Sequence, residues 1–238
     1  MKSIRLTRLQ GSGKIRILVF FLLSIAFSLS AQNDRGMRLG GVLAVEVEKD
    51  ITRRLSGLFE QELRLENNNV GFNRTTSNIG LDYSIIPKKL KVGGFYTYIY
   101  MYNKDFLYES RHRFYFNVIY KETFDPITIS WRGRFQSTFR DENKGSYRVN
   151  PRNIVKNKIE VTYSFFNLPF KPFVSADFST IVLDPRNNFE LSRIRYTGGV
   201  NWRLNRTDYL ELFLRYDQRM DSRDLNGAAI GARYKTRF

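Results

Sequence analysis

The sequence predicts an all-β chain, a transmembrane antiparallel up-and-down β-barrel of about 10–12 strands. Three observations predict it. Apolar and polar residues alternate with period two in segment after segment, the pattern of a strand with two unlike faces. The alternating segments run roughly 10–14 residues, about twice an ordinary globular strand and long enough to cross a bilayer at a tilt. The connections between them are short and long in turn, as in a barrel with tight turns at one mouth and loops at the other.

The elements follow in order. Residues 38–49 place Glu46 and Glu48 on the polar parity, and 54–66 place Glu60, Glu62, Arg64 and Glu66 there. Residues 75–86 carry Asp82, and 90–102 end in Tyr98, Tyr100 and Tyr102. Residues 111–122 set Phe114, Phe116, Val118 and Tyr120 against Arg111, Arg113, Tyr115 and Asn117. Residues 127–140 set Ile127, Ile129, Trp131, Phe135 and Phe139 against Arg132, Arg134, Gln136 and Arg140. In 154–165, Ile159, Val161, Tyr163 and Phe165 oppose Lys158, Glu160, Thr162 and Ser164. Residues 171–183 carry Asp177, and 191–204 set Ile194, Tyr196, Val200 and Trp202 against Arg193, Arg195, Asn201 and Arg203. Residues 208–219 set Leu210, Leu212, Leu214 and Tyr216 against Glu211, Phe213, Arg215 and Asp217. The last segment, 227–238, sets Ala232, Tyr234, Thr236 and Phe238 against Gly231, Arg233, Lys235 and Arg237. These make eleven strands. Single-chain bacterial barrels have even numbers, so ten or twelve is the expectation, with a strand missed or merged or with 32–37 threading back through the lumen.

Alternation alone also suits a water-soluble β-protein, and the polar face decides between the two. Soluble strands put Thr, Ser, Lys and Glu toward water, whereas here the polar face carries arginine repeatedly, with acids beside it. A lumen lined by opposite charges accounts for that face, and Glu46, Glu48, Glu60, Glu62, Arg64, Arg132, Arg134, Arg193, Arg195, Arg203, Arg215, Arg233 and Arg237 are the residues expected to line it. Tyr98, Tyr100, Tyr102, Phe139, Trp202 and Tyr216, near strand ends, fit interfacial girdles.

Composition bounds the rest. With 238 residues, 42% apolar and 15% aromatic, the chain suits one domain. Residues 1–31 read as a cleaved signal peptide, with Lys2, Arg5, Arg8, Lys14 and Arg16 ahead of the apolar run "ILVFFLLSIAF" and the small residues "SLSA"; an uncleaved anchor is the alternative. Residues 32–238 then form a single barrel domain. Removing those five charges leaves +11 of the formal +16, a balance that favours anionic partners, and export excludes nucleic acid among them. Localisation in the outer membrane of a Gram-negative bacterium, among outer-membrane lipid and lipopolysaccharide, is the expectation. No cysteine is present, and His112 is the single histidine, so thiol chemistry, Cys-ligated zinc and a His-rich metal site are excluded. Oligomeric state stays open.

A last strand ending in "ARYKTRF", with Tyr234 and Phe238 on the apolar parity, resembles the assembly signal that the insertion machinery of Gram-negative outer membranes reads. The wider pattern resembles domain-of-unknown-function family 2490 (DUF2490). The resemblance rests on "VEVEKDITRRLSGLFEQELRLENN", "GLDYSIIPKKLKVGGFYTYIY" and "ESRHRFYFNVIYKETF", with "RHR" the most family-like piece. It implies an outer-membrane barrel and no assigned activity.

No catalytic, cofactor or metal site emerges. Lipid A deacylases resemble a His-x-Ser pair, whereas His112 is followed by Arg113 and Phe114. The Asp-x-His pairing expected of omptin-type proteases is missing too, and an enzyme needs a Ser–His or carboxylate cluster that spacing does not reveal. Acids dominate the first two strands and bases the last three, so closure lets them interlock across the seam. Two functions lead, with an outer-membrane barrel enzyme the weaker third. One is a small anion-preferring channel. The other is a salt-bridged plug in a structural barrel whose loops bind envelope partners or lipopolysaccharide phosphates through Arg140, Lys144, Arg148 and Arg152.

Overall fold

The computed structural model describes residues 37–66, 71–103, 107–140, 150–184, 189–220 and 225–238. Eleven strands stand among them, matching the eleven alternating segments. They are β1 (Arg38–Asp50), β2 (Leu55–Glu66), β3 (Phe72–Ile86), β4 (Leu90–Asn103), β5 (Leu107–Phe124) and β6 (Ile127–Arg140). The remainder are β7 (Arg152–Tyr163), β8 (Phe170–Val182), β9 (Glu190–Arg203), β10 (Asp208–Arg219) and β11 (Gly227–Arg237). Each pairs antiparallel with its chain neighbour, and the sheet closes into a barrel. Segments 1–31 and 32–36, and with them the expected signal peptide, lie outside the described residues, as do Lys144 and Arg148.

The expected even count is overturned. An up-and-down meander of eleven strands brings its first and last strands together pointing the same way, so β1 and β11 pair parallel, from Arg38↔Gly227 to Glu48↔Arg237. Parallel ladders carry evenly spaced, slanted bonds, and this one leaves no open edge. The chain end completes it: Asp50 N donates to Phe238 O (2.9 Å) and Phe238 N to Glu48 O (3.1 Å). Arg237 bridges Asp50 at 2.9 Å beside this junction. At the mouth with the long connections, Asn side chains tie neighbouring strand ends. Asn150 accepts from Arg140 N (3.0 Å) and donates to Arg140 O (3.1 Å), while Asn226 accepts from Arg219 N (2.8 Å).

β5 begins four residues before the expected 111. Tyrosines extend it: Tyr100 stacks on Tyr108 at 5.3 Å and Tyr102 meets Tyr108 edge-on at 6.0 Å, aromatic cross-strand contacts that hold a hairpin together.

The barrel is inverted relative to a water-soluble core. Buried polar residues outnumber buried apolar ones, thirteen to eight among the described residues, while Leu43, Ile79, Phe116, Val174, Leu212 and Ile230 stand exposed on the outward face. Polar side chains on that face bond one another: Gln61 donates to Thr75 (2.7 Å), Ser77 to Gln61 (2.6 Å) and Ser137 to Asn153 (2.6 Å). Inside, one row alternates large and small across five strands. Phe173 pairs with Gly199, Gly199 with Phe213, Phe213 with Gly231 and Gly231 with Val42. Val42, Phe173 and Phe213 form the buried apolar cluster. The glycines make it possible, because a Cβ on Gly199 meets the Leu212 carbonyl oxygen at 2.4 Å and one on Gly231 meets the Phe213 ring at 2.2 Å.

Candidate functional site in the barrel interior

Strand parity decides which side chains enter the interior. Glu46, Glu48, Glu60, Glu62, Arg64, Arg132, Arg134, Arg193, Arg195, Arg215 and Arg233 all occupy the interior parity and are half-buried or buried. Arg203 and Arg237 share that parity but sit exposed at the short-turn mouth. Arg140 and Arg152 are half-buried at the opposite mouth, where β6 ends and β7 begins. Tyr234 and Phe238 lie on the exposed outward face.

At the short-turn mouth, Lys91 reaches Glu48 (3.4 Å) and Asp82 (3.5 Å), and Ser56 donates to Glu48 (2.9 Å). Outside the strands, in turn 87–89, Lys89 donates to both carboxylate oxygens of Glu122 (2.8 and 3.1 Å), a bond that raises its ammonium above the usual lysine range.

Farther in, acids of β2 and β10 meet bases of β11. Arg233 lies 3.6 Å from Glu60, 3.7 Å from Glu62 and 3.7 Å from Glu211, and Lys235 lies 2.5 Å from Glu211. Arg132 of β6 reaches Asp177 of β8 at 3.5 Å, and Lys158 reaches Glu160 at 2.6 Å. One polar cluster forms around aromatic rings: Phe95 stacks on Tyr115 at 4.8 Å, and Arg134 lies 3.9 Å over the Tyr115 ring. Tyr115 and Thr97 both donate to Asn78 at 3.0 Å, and Arg134 donates to Asn117 at 2.7 Å.

The half nearer the long connections is arginine-rich. Arg195 donates twice to Asp217 (2.5 and 2.8 Å), the two-pronged geometry that suits guanidinium and carboxylate. Arg193 approaches the same carboxylate at 4.0 Å. Arg64 bonds Glu62, and Arg111 bonds Glu109 at 2.6 Å.

Sequence reasoning left Arg74, Lys156 and Lys91 out of the interior set. Arg74 sits in "NRTTS", where the neighbours on both parities are polar, so no contrast marks its face. Lys156 shares parity with Lys158 two residues on, so a signal for it was present. His112 faces outward, its ring between Tyr96 and Tyr98 and its Nδ1 2.7 Å from the Tyr96 hydroxyl.

No curated protein matches the chain. A family model described as a protein of unknown function, DUF2490, matches residues 42–226, from β1 to the approach to β11. That match covers well over half of the 238 residues, and the chain belongs to the DUF2490 family.

Proposed function

We propose that this protein is an integral β-barrel of a Gram-negative outer membrane whose interior is a narrow, anion-preferring conduit. The observation that carries the membrane half is the inversion: large apolar side chains cover the outer face while charges fill the inside. A closed barrel satisfies its backbone internally, as a bilayer requires. On this reading residues 1–31 direct export, and the β11 face ending in Tyr234 and Phe238 is what the insertion machinery engages. The anion preference rests on the interior charge, where Arg74, Arg113, Arg134, Arg215 and Lys156 have no carboxylate within 4 Å among the described residues. Cationic walls favour anionic solutes.

The test is single-channel recording from the refolded protein in a planar bilayer under a salt gradient. Steady conductance with a reversal potential set by anions is expected. Lys156→Glu or Arg215→Glu should shift that potential toward cation preference, since neither side chain anchors an ion pair among the described residues. A folded barrel that never conducts would overturn the conduit. It would favour instead a plugged scaffold whose outer loops, with Arg140 and Arg152 at the strand ends that flank them, hold lipopolysaccharide phosphates. One observation supports that second reading: Val42, Ile99 and Gln136 are interior side chains with almost no water contact, so the lumen is packed at their levels.

A further inference from the structure

We infer that the interior half nearer the long connections holds a binding site for a compact multivalent oxyanion, built by Arg74, Arg113 and Arg215 with Arg64, Arg195 and Lys156 around them. The inference deepens the conduit reading and rests on it for the ligand's route inward.

Register places these six cations together. Arg64 lies two residues from the end of β2, Arg74 two from the start of β3, and Lys156 four from the start of β7. Arg113, Arg195 and Arg215 stand in the same half of β5, β9 and β10. The cations therefore enter one half of the interior from six strands around the wall. Arg74 interacts electrostatically with Arg64, Arg113 and Arg195, although β3 and β9 lie on opposite sides of the barrel. Arg215 interacts with Arg64 and Arg195, and Lys156 with Arg113.

Carboxylates do not balance this group. Glu62 is bonded by Arg64 and approached by Arg233, and Asp217 is bonded by Arg195 and approached by Arg193. Asp177, the acid that interacts with Lys156, is engaged by Arg132. Arg74, Arg113 and Arg215 are left without an ion pair among the described residues. Arg113 donates to Thr138 at 3.0 Å. Among the described residues, the Nε–H of Arg74 is buried without a hydrogen-bond partner, as is that of Arg193 beside the cluster. Buried donors in native proteins are normally satisfied, so these N–H groups point to an acceptor that the described residues do not supply. Several electrostatically coupled guanidinium forks in one half of the interior suit the oxygens of a phosphate-like group. A multivalent anion relieves the mutual repulsion better than a monovalent one, because each added charge meets every cation of the ring. All six cations are half-buried rather than sealed, so small solutes reach them from the lumen.

The test is calorimetric titration of pyrophosphate into the full chain refolded in neutral detergent, at fixed ionic strength, with chloride as the monovalent reference. One-to-one binding is expected, tighter than chloride and weakening as salt rises. Arg74→Gln and Arg215→Gln should each weaken it about tenfold, the size of one charge-assisted bond. Lys121→Gln, an exposed cation near the short-turn mouth, should leave it unchanged. Gel mobility before and after heating verifies that each variant is folded, and Lys156→Gln takes the place of any arginine variant that is not. Pyrophosphate binding no tighter than chloride overturns the site, and so does equal affinity in the folded variants. Binding by a barrel that never conducts overturns the conduit alone, and conduction without binding overturns the site alone.

Discussion

Arginine in place of Phe116 or Ile230 is expected to destabilise the barrel by about 2–4 kcal/mol in a bilayer, the cost of a cation facing lipid near mid-depth. Both side chains lie on the outward face, 68% and 67% exposed, and both sit well inside their strands. Phe116 pairs with Gly94 and Phe135, and Ile230 with Leu214 and Gly41. In water the same substitutions, at positions this exposed, change stability by no more than about 0.5 kcal/mol. Denaturant unfolding from phospholipid vesicles separates the two environments. Phe124→Arg is the depth control. Phe124 is 62% exposed but ends β5 beside a short turn, where the penalty falls to about 0–1 kcal/mol. Equal, negligible costs at all three positions would remove the membrane from the proposed function, since no lipid then contacts the outward face.

How far this barrel was legible in its sequence follows from the same two faces. Period two gave away every strand because inward and outward residues contrast along most of each segment, as in "RHRFYFNVIY". Where contrast fails, legibility fails too. Arg74 falls one residue before the expected start of its strand, and Asn73, Thr75, Thr76 and Ser77 around it are polar on both parities. Tyr108 and Glu109 read as loop because their pairing depends on Tyr100 and Tyr102 across the hairpin. The parallel seam was not legible at all. Neither β1 nor β11 carries a residue pattern specific to a parallel partner, and an even count was the prior. Within the candidate site, parity identified which charges face inward but not which charges meet. Partners such as Arg132 and Asp177 come from β6 and β8, and their meeting depends on stagger around the barrel. Phe213 on an otherwise charged face, among Glu211, Arg215 and Asp217, had no explanation until closure set it between Gly199 and Gly231.

That setting supports a second large effect. Gly231→Ala and Gly199→Ala should each destabilise the barrel by about 1–3 kcal/mol through overpacking, but only one of them should be rescued. The three atoms nearest a Cβ added at Gly231 all belong to the Phe213 ring, the nearest at 2.2 Å. The Phe213 ring cannot swing clear, because it is packed with Phe173 and Val42 in the buried cluster. Shortening it by Phe213→Ala, itself worth about 3–5 kcal/mol, removes the clash. The double variant should therefore cost less than the sum of its parts. The Cβ added at Gly199 meets the Leu212 carbonyl oxygen at 2.4 Å first, ahead of Phe173 and Phe213 at 2.9 Å. Backbone cannot be trimmed, so Phe213→Ala should leave most of that cost in place. A double-mutant cycle by denaturant unfolding reads both couplings. Additivity at Gly231 would mean that its small size serves the backbone rather than the ring. The distinction bears on closure, because Gly231 pairs directly with Val42 across the parallel seam. If the ring of Phe213 needs that gap, the last antiparallel hairpin and the seam share one packed row, and the barrel closes only when both have formed.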